Sequence, residues 1–383
     1  MNRLILVGNG FDLAHGLKTG YNDFILWYLK SICHAADQNN EYSDDLVRIY
    51  RTYRSSEHKY ANIIGINNLI DHFYNKGFGL FLYSKTFKVD GWSNIYDIPF
   101  KIEFKGTLMQ NLLTNCSNSR WVEIENEFYD QLLSVLKLTA PEKRKKVNLL
   151  NLEMNCLIEK LHEYLQSLAV PELNNEYKDL LNSYIDPEDF NVKLMDGTPT
   201  KAVPFEKRPP HYTQIVNFNY THTFENYINK WDHRTSINYI HGKLGDETNQ
   251  LVFGFGDELD KEYVNIEEER YNGFKEYIKS FWYLRTINYH NLMKFVDSDR
   301  FQVVILGHSC GLSDRTMLNM VFEHENCKSI KIYYYESSPG NDNYVSLTQE
   351  ISRHFNNKGL FRKKVVNYTL SSKMPQVEAK KVN

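Results

Sequence analysis

The chain opens on an unbroken apolar run, Leu4-Ile5-Leu6-Val7, closed at once by Gly8-Asn9-Gly10. A run with no polar alternation suits a parallel strand covered on both faces. Phe301–Leu306 repeats the pattern near the other end and is closed by Gly307. Ile215–Asn219, Ile237–Ile240, Leu251–Phe253 and Ser329–Tyr335 also read as strands, with helical spacing over Thr221–Trp231, Gly273–Leu284, Tyr289–Val296, Asp314–His324 and Tyr344–Phe355.

The stretch between is different. After a helix at Tyr21–Ile32, helix-like spacing recurs at Asp45–Tyr53, Asn67–Tyr74, Trp121–Leu136, Pro141–Ser167 and Glu172–Tyr184, and Leu80–Tyr83 is one of few strand candidates. Pro187, Pro199, Pro204, Pro209 and Pro210 mark an irregular connector. The expected fold class is therefore α/β: one open sheet from residues 1–36 and 211–370, a mainly helical insertion or cap over 37–210, and a polar tail over 371–383.

Bulk properties narrow the function classes. The net charge of −3 argues against a dedicated nucleic-acid binder, and the run Lys143 to Lys146 reads as a solvated helix face. Five cysteines with no C-x-x-C pair point away from a disulfide framework or a zinc ribbon, and no metal site is expected. No apolar run reaches the ~18 residues of a membrane helix. No signal peptide is read at the start, so the cytoplasm is the expected location.

Four segments carry candidate chemistry. In Val7 to Phe24, Gly8 and Gly10 can take positive φ and let a ligand approach the main chain, and the turn can offer N–H groups to a phosphate. Asn9, Asp12, His15, Thr19, Asn22 and Asp23 are more polar residues than a plain turn requires. In Val216 to Tyr227, an apolar strand delivers Asn219 to its carboxyl end, where open α/β sheets bind ligands. Helix capping accounts for one such residue, whereas Asn217, Asn219, Thr221, His222 and Thr223 all occur. In Asn238 to Gly245, His241 follows a strand and precedes a glycine, a position suited to acid–base work near neutrality. In Val303 to Asp314, G-H-S-C-G matches a nucleophile elbow with Ser309 as nucleophile, although no recognisable acid-then-histidine motif follows. Leu251 to Glu258 reads as a further ligand-facing loop, and Trp121, Glu123 and Glu125 as an amphipathic helix.

Together, L-V-G-N-G-F-D-L-A-H-G-L-K-T-G-Y-N-D-F, N-F-N-Y-T-H-T-F-E, I-H-G, L-V-F-G-F-G-D-E and L-G-H-S-C-G-L-S-D resemble, in order, the bacteriophage abortive-infection AbiH family. More distantly they resemble sirtuin-like NAD-binding domains, which implies an open Rossmann-like (sirtuin-like) parallel sheet. That resemblance places the dinucleotide on Gly8, Asn9, Gly10, Phe11 and Asp12, with Thr221, Gly307, His308 and Ser309 also binding the cofactor. It makes Asn219 and His241 the catalytic residues. Thr221 stands where Asp is usual, and the zinc module of deacetylating sirtuins is missing, so deacetylation is not expected.

The resemblance implies an NAD-cleaving phage-defence enzyme, with NAD as ligand and substrate. A nucleotide-binding sensor without turnover, and a serine hydrolase built on Ser309, are the alternatives. A phage-derived protein is the expected trigger, and homo-oligomerisation is compatible with the sequence.

Overall fold

Six strands form one sheet: β1 (Asn2–Val7), β2 (Thr213–Asn217), β3 (Thr235–Tyr239), β4 (Phe301–Leu306), β5 (Cys327–Tyr334) and β6 (Ser372–Lys373). Their order across the sheet is β3-β2-β1-β4-β5-β6, and every pairing is parallel. The computed structural model describes residues 1–52, 65–76, 86–88, 95–115, 124–190, 206–228 and 232–377. The chain divides into two compact units, Met1–Lys18, Leu168–Val264 and Ile278–Asn383 in one, Thr19–Ser167 and Asn265–Tyr277 in the other. The sheet lies wholly in the first.

The uninterrupted apolar runs have the burial expected of them. β1 and β4 are buried at every residue. Strand alternation sends Leu4 and Leu6 to one face and Ile5 and Val7 to the other. On the first face they join Val303 and Ile305 against Leu292 and Val296 of helix Asn288–Ser298, Leu318 and Phe322 of helix Arg315–Glu323, and Leu347 and Ile351 of helix Tyr344–Arg353. On the second, Ile5, Val7, Val304 and Leu306 meet Phe11 and Ala14 of the short helix Asn9–Ala14 and Tyr177 and Leu180 of helix Glu176–Asn182. Each such side chain contributes roughly 1.5–3 kcal/mol when fully buried, so both faces of the sheet are held by core packing.

β1 has β2 on one side and β4 on the other. The chain leaving β1 and the chain leaving β4 therefore start from adjacent strand ends on either side of the point where strand order reverses. In open parallel sheets this is where a crevice forms outside the carboxyl ends.

Several elements depart from the sequence expectation. The helix expected over Asp45–Tyr53 is absent from its described residues: Val47–Arg51 is a strand, antiparallel to both Glu41–Ser43 and Phe100–Phe104. Its Val47 and Ile49 are buried and Arg48 between them is exposed, a period of two. Asp44 Oδ1 accepts from the N–H groups of Leu46 and Val47, tightening the turn into it. Leu251–Phe253 joins no ladder; Val252 N–H donates to His241 O and Gly254, with φ of 151°, ends the extended run. Thr221–Trp231 holds one 3-10 turn, Thr223–Tyr227, and residues 229–231 lie outside the described residues. Gly273–Leu284 is split into Asn272–Lys275 and Lys279–Tyr283 by extended backbone at Ile278. The polar tail begins with β6, beside β5, and buries Met374. Leu80–Tyr83, Trp121, Glu123, Pro199 and Pro204 fall outside the described residues.

The second unit carries the long helices Tyr21–Asn39, Ile124–Leu136 and Ala140–Gln166 beside that three-stranded sheet. Among the described residues, no helix is long and apolar enough to cross a membrane.

Candidate functional site at the carboxyl ends of the sheet

The loops leaving β1 and β4 interlock. Gly8 N–H donates to Leu306 O at 3.2 Å, Gly10 N–H to Gly307 O at 2.8 Å, and Phe11 N–H to Gly8 O at 2.9 Å. A Cβ on Gly8 would sit 2.5 Å from the His308 Cα, and one on Gly10 would sit 2.8 Å from Gly307 O. Close backbone approach is thus what excludes side chains at these two glycines. The expected positive φ is absent: Gly8 is extended at −126°, and the positive value belongs to Gly307 at 74°. The N–H groups of Gly8, Gly10 and Phe11 already have protein partners, so they are not an open phosphate cradle. Phe11 is fully buried core, its ring against His15, Tyr177 and Phe224.

β2 ties into the same place. Asn219 Nδ2 donates to Gly8 O at 3.0 Å, and Asn217 Oδ1 accepts from Asn219 N–H at 3.1 Å. Thr221 Oγ1 donates to Asp12 Oδ2 at 2.6 Å. Asp12 is 1% exposed and its other oxygen, Oδ1, is buried without a partner. Burial pushes its carboxyl up to about 6, against the hydrogen bonding of Thr221, Thr223 and Asn219. His15, one turn on, is locked between Phe11 O and the Tyr227 hydroxyl, both at 2.6 Å, and stacks on Tyr177.

β3 and β4 deliver a buried charged network. His241 Nε2 lies 3.0 Å from Asp314 Oδ1 and 3.1 Å from the Tyr283 hydroxyl. Lys279, fully buried, donates to the same Asp314 oxygen at 2.9 Å. His308 Nδ1 accepts from Cys310 N–H, so its Nε2 carries the proton, 3.6 Å from Asp314 Oδ2. Burial would raise the Asp314 carboxyl; the Lys279 ammonium, followed by His241, overrides this and holds it well below the usual carboxylate range. An ionised carboxylate only accepts, so the His241 nitrogen facing it, Nε2, carries a proton. Phe218 bridges the two imidazoles, its ring centroid 5.1 Å from His241 and 4.0 Å from His308.

Gly8, Gly10, Asp12, Asn219, Thr221, His241, Gly307 and His308 are thereby joined, contact by contact, at the carboxyl ends of β1 to β4. Ser309 is exposed, and no histidine among the described residues is hydrogen-bonded to it. The strained φ of a nucleophile elbow falls one residue later, on Cys310 at 55°. Cys310 is fully buried, which pushes its thiol up and keeps it unreactive. Lys279, Tyr283 and Asp314 belong to the site without being expected from the sequence. Asp314 closes the L-G-H-S-C-G-L-S-D run, which is a usable signal, whereas Lys279 sits in an ordinary amphipathic segment. A cavity of about 460 Å³ lined by Lys178, Pro209, Thr213, Tyr227, Arg234 and Thr235 lies at the amino ends of β2 and β3, and none of the residues joined above borders it except through Tyr227, the hydrogen-bond partner of His15.

Against known families, the model of bacteriophage abortive infection AbiH matches residues 4–336. The chain belongs to the AbiH family. The match runs from β1 through β5 and includes every residue of the constellation above. Membership implies a role in abortive infection by bacteriophage. No curated protein and no solved structure matches this AbiH chain.

Proposed function

We propose that this AbiH protein cleaves NAD at the carboxyl edge of its parallel sheet, releasing nicotinamide and ADP-ribose as its means of abortive infection. The observation that carries the reading is the convergence of Asn219, His241, His308 and the Gly8–Gly10 loop beside the strand-order reversal. The order 3-2-1-4-5-6 is that of doubly wound Rossmann-like sheets, which bind dinucleotides there. Nicotinamide leaves as a neutral group, so the site must stabilise an oxocarbenium-like ribose and direct water to it. Asn219 is suited to orient the ribose and that water. His241, oriented by Asp314 through Nε2, takes in its neutral form the proton that the water or a ribose hydroxyl gives up. One water is consumed, and the proton leaves through His241. The pyrophosphate is not assigned to the Gly8, Gly10 and Phe11 N–H groups, which are already engaged.

That engagement favours a second reading, in which the site binds a nucleotide as a sensor without turnover. Purified protein incubated with NAD, with and without extract of phage-infected cells, separates the two. Cleavage predicts stoichiometric nicotinamide and ADP-ribose, reduced about 10²–10⁴-fold by His241→Ala on the scale of a lost general base. Asn219→Ala lowers it as well. Binding with no product selects the sensor. NAD left intact and unbound under both conditions removes the site.

A further inference from the structure

The carboxylate of Asp12 is buried at the junction of β1 and β2 with one oxygen satisfied and the other not. Thr221 Oγ1 occupies Oδ2 at 2.6 Å, while Oδ1 has no hydrogen-bond partner. Buried polar atoms in folded proteins nearly always have partners, and an orphan carboxylate oxygen is costly. An acceptor with two open lone pairs is completed by a hydroxyl or N–H donor and repelled by a phosphate. The cover beside it is thin, since Thr221, which holds the other oxygen, is only half-buried and His222 is exposed. Asn219, which the proposed reaction uses, gives its side-chain N–H to Gly8 O yet lies near enough to the same carboxylate to favour its charged form.

We propose that Asp12 Oδ1 is the acceptor for a ribose hydroxyl of the bound nucleotide, making Asp12 the residue that selects an unmodified sugar. This rests on the nucleotide-site reading above and adds a residue and a subsite to it. A ligand hydroxyl entering beside Thr221 would complete the acceptor, and a phosphate ester at the same position would meet a negative charge without a donor. The raised affinity of this carboxyl for its proton fits a group waiting for a donor. Leaving Oδ1 buried without a donor lowers stability, and a ligand hydroxyl there would offset that cost.

Binding measured by calorimetry decides it, without turnover, using NAD and two analogues in which one ribose at a time is 2′,3′-dideoxy. Wild-type protein is expected to bind one of the dideoxy analogues at least tenfold more weakly than NAD. Asp12→Asn is expected to weaken NAD by a similar factor and to bind NAD and that analogue alike. Equal loss on deoxygenation in wild type and Asp12→Asn overturns the assignment while leaving the nucleotide site intact. Wild type that binds none of the three ligands overturns both. A variant-free check is the ¹³C carboxyl signal of Asp12 in wild-type protein. Its titration midpoint should fall on adding NAD, because a donor stabilises the charged form, and an unmoved midpoint overturns the assignment.

Discussion

At the scale of single residues, the raised carboxyl of Asp12 makes a stability prediction independent of any ligand. In the folded protein it titrates at about 6, against 3.8 for an unperturbed aspartate. Between those values the folded protein holds a proton that the unfolded chain has lost, so stability falls as pH rises through this window and is flat above it. The gap between the two values corresponds to about 3 kcal/mol. Asp12→Asn, which has no charge to bury, should therefore be more stable than wild type at pH 7, by up to about 3 kcal/mol, and equal to it near pH 4. Urea denaturation at the two pH values checks this, and a variant less stable than wild type at pH 7 contradicts it. Asp12 is legible in the sequence as one polar residue too many for a plain turn. Thr221 is legible only as the place where an acid is expected, and the fold brings it a carboxylate from the loop after β1. Lys279 is not legible, because nothing in a single sequence says that a lysine in an amphipathic stretch folds inward onto an aspartate.

At the scale of elements, the interlocked loops after β1 and β4 act as one unit. A methyl group on Gly10 would meet the Gly307 backbone at 2.8–2.9 Å, and backbone on both sides leaves no flexible side chain to move aside. Gly10→Ala should destabilise by about 1–3 kcal/mol, the usual cost of overpacking. Gly307→Ala should cost more, since it combines φ of 74° with a Cβ 2.3 Å from Phe11 N. Chemical denaturation gives both values, and a neutral Gly307→Ala would show that the two loops can part without penalty. Here the sequence is a good guide to where the chain turns and a poor one to why. Glycine after a strand reads equally as positive φ or as close approach, and only the neighbouring loop, about 300 residues on in the chain, distinguishes them. The buried strands β1 and β4 are legible because they need no alternation. Val47–Arg51 is easily taken for helix because five residues of period two fit a helical template nearly as well when charges flank them. Leu251–Phe253 has strand-like composition but pairs with no strand among the described residues.

At the scale of the whole molecule, the first strand in the chain occupies an interior position of the sheet, with the carboxyl-end constellation built around it. Arg3 pairs in register with Thr213 on one side and Gln302 on the other. Closing a loop of about 200 residues costs on the order of 5 kcal/mol in chain entropy before any contact compensates it. Helix Ala140–Gln166, by contrast, is 27 residues of i to i−4 bonds and closes no long loop. Parallel pairing of distant segments is the slow class of folding event. Pulse-labelling hydrogen exchange during refolding should therefore show amides of Ala140–Gln166 protected before those of β1, and β1 protected together with β2 and β4. Early protection of β1 alone is excluded on this argument, because an isolated six-residue strand has no partner for its N–H groups. The same order implies that nucleotide binding appears only in the last phase, when Gly8 meets Asn219 and Gly307. Binding competence that returned ahead of β1 protection would place the ligand elsewhere than at the carboxyl edge of this sheet.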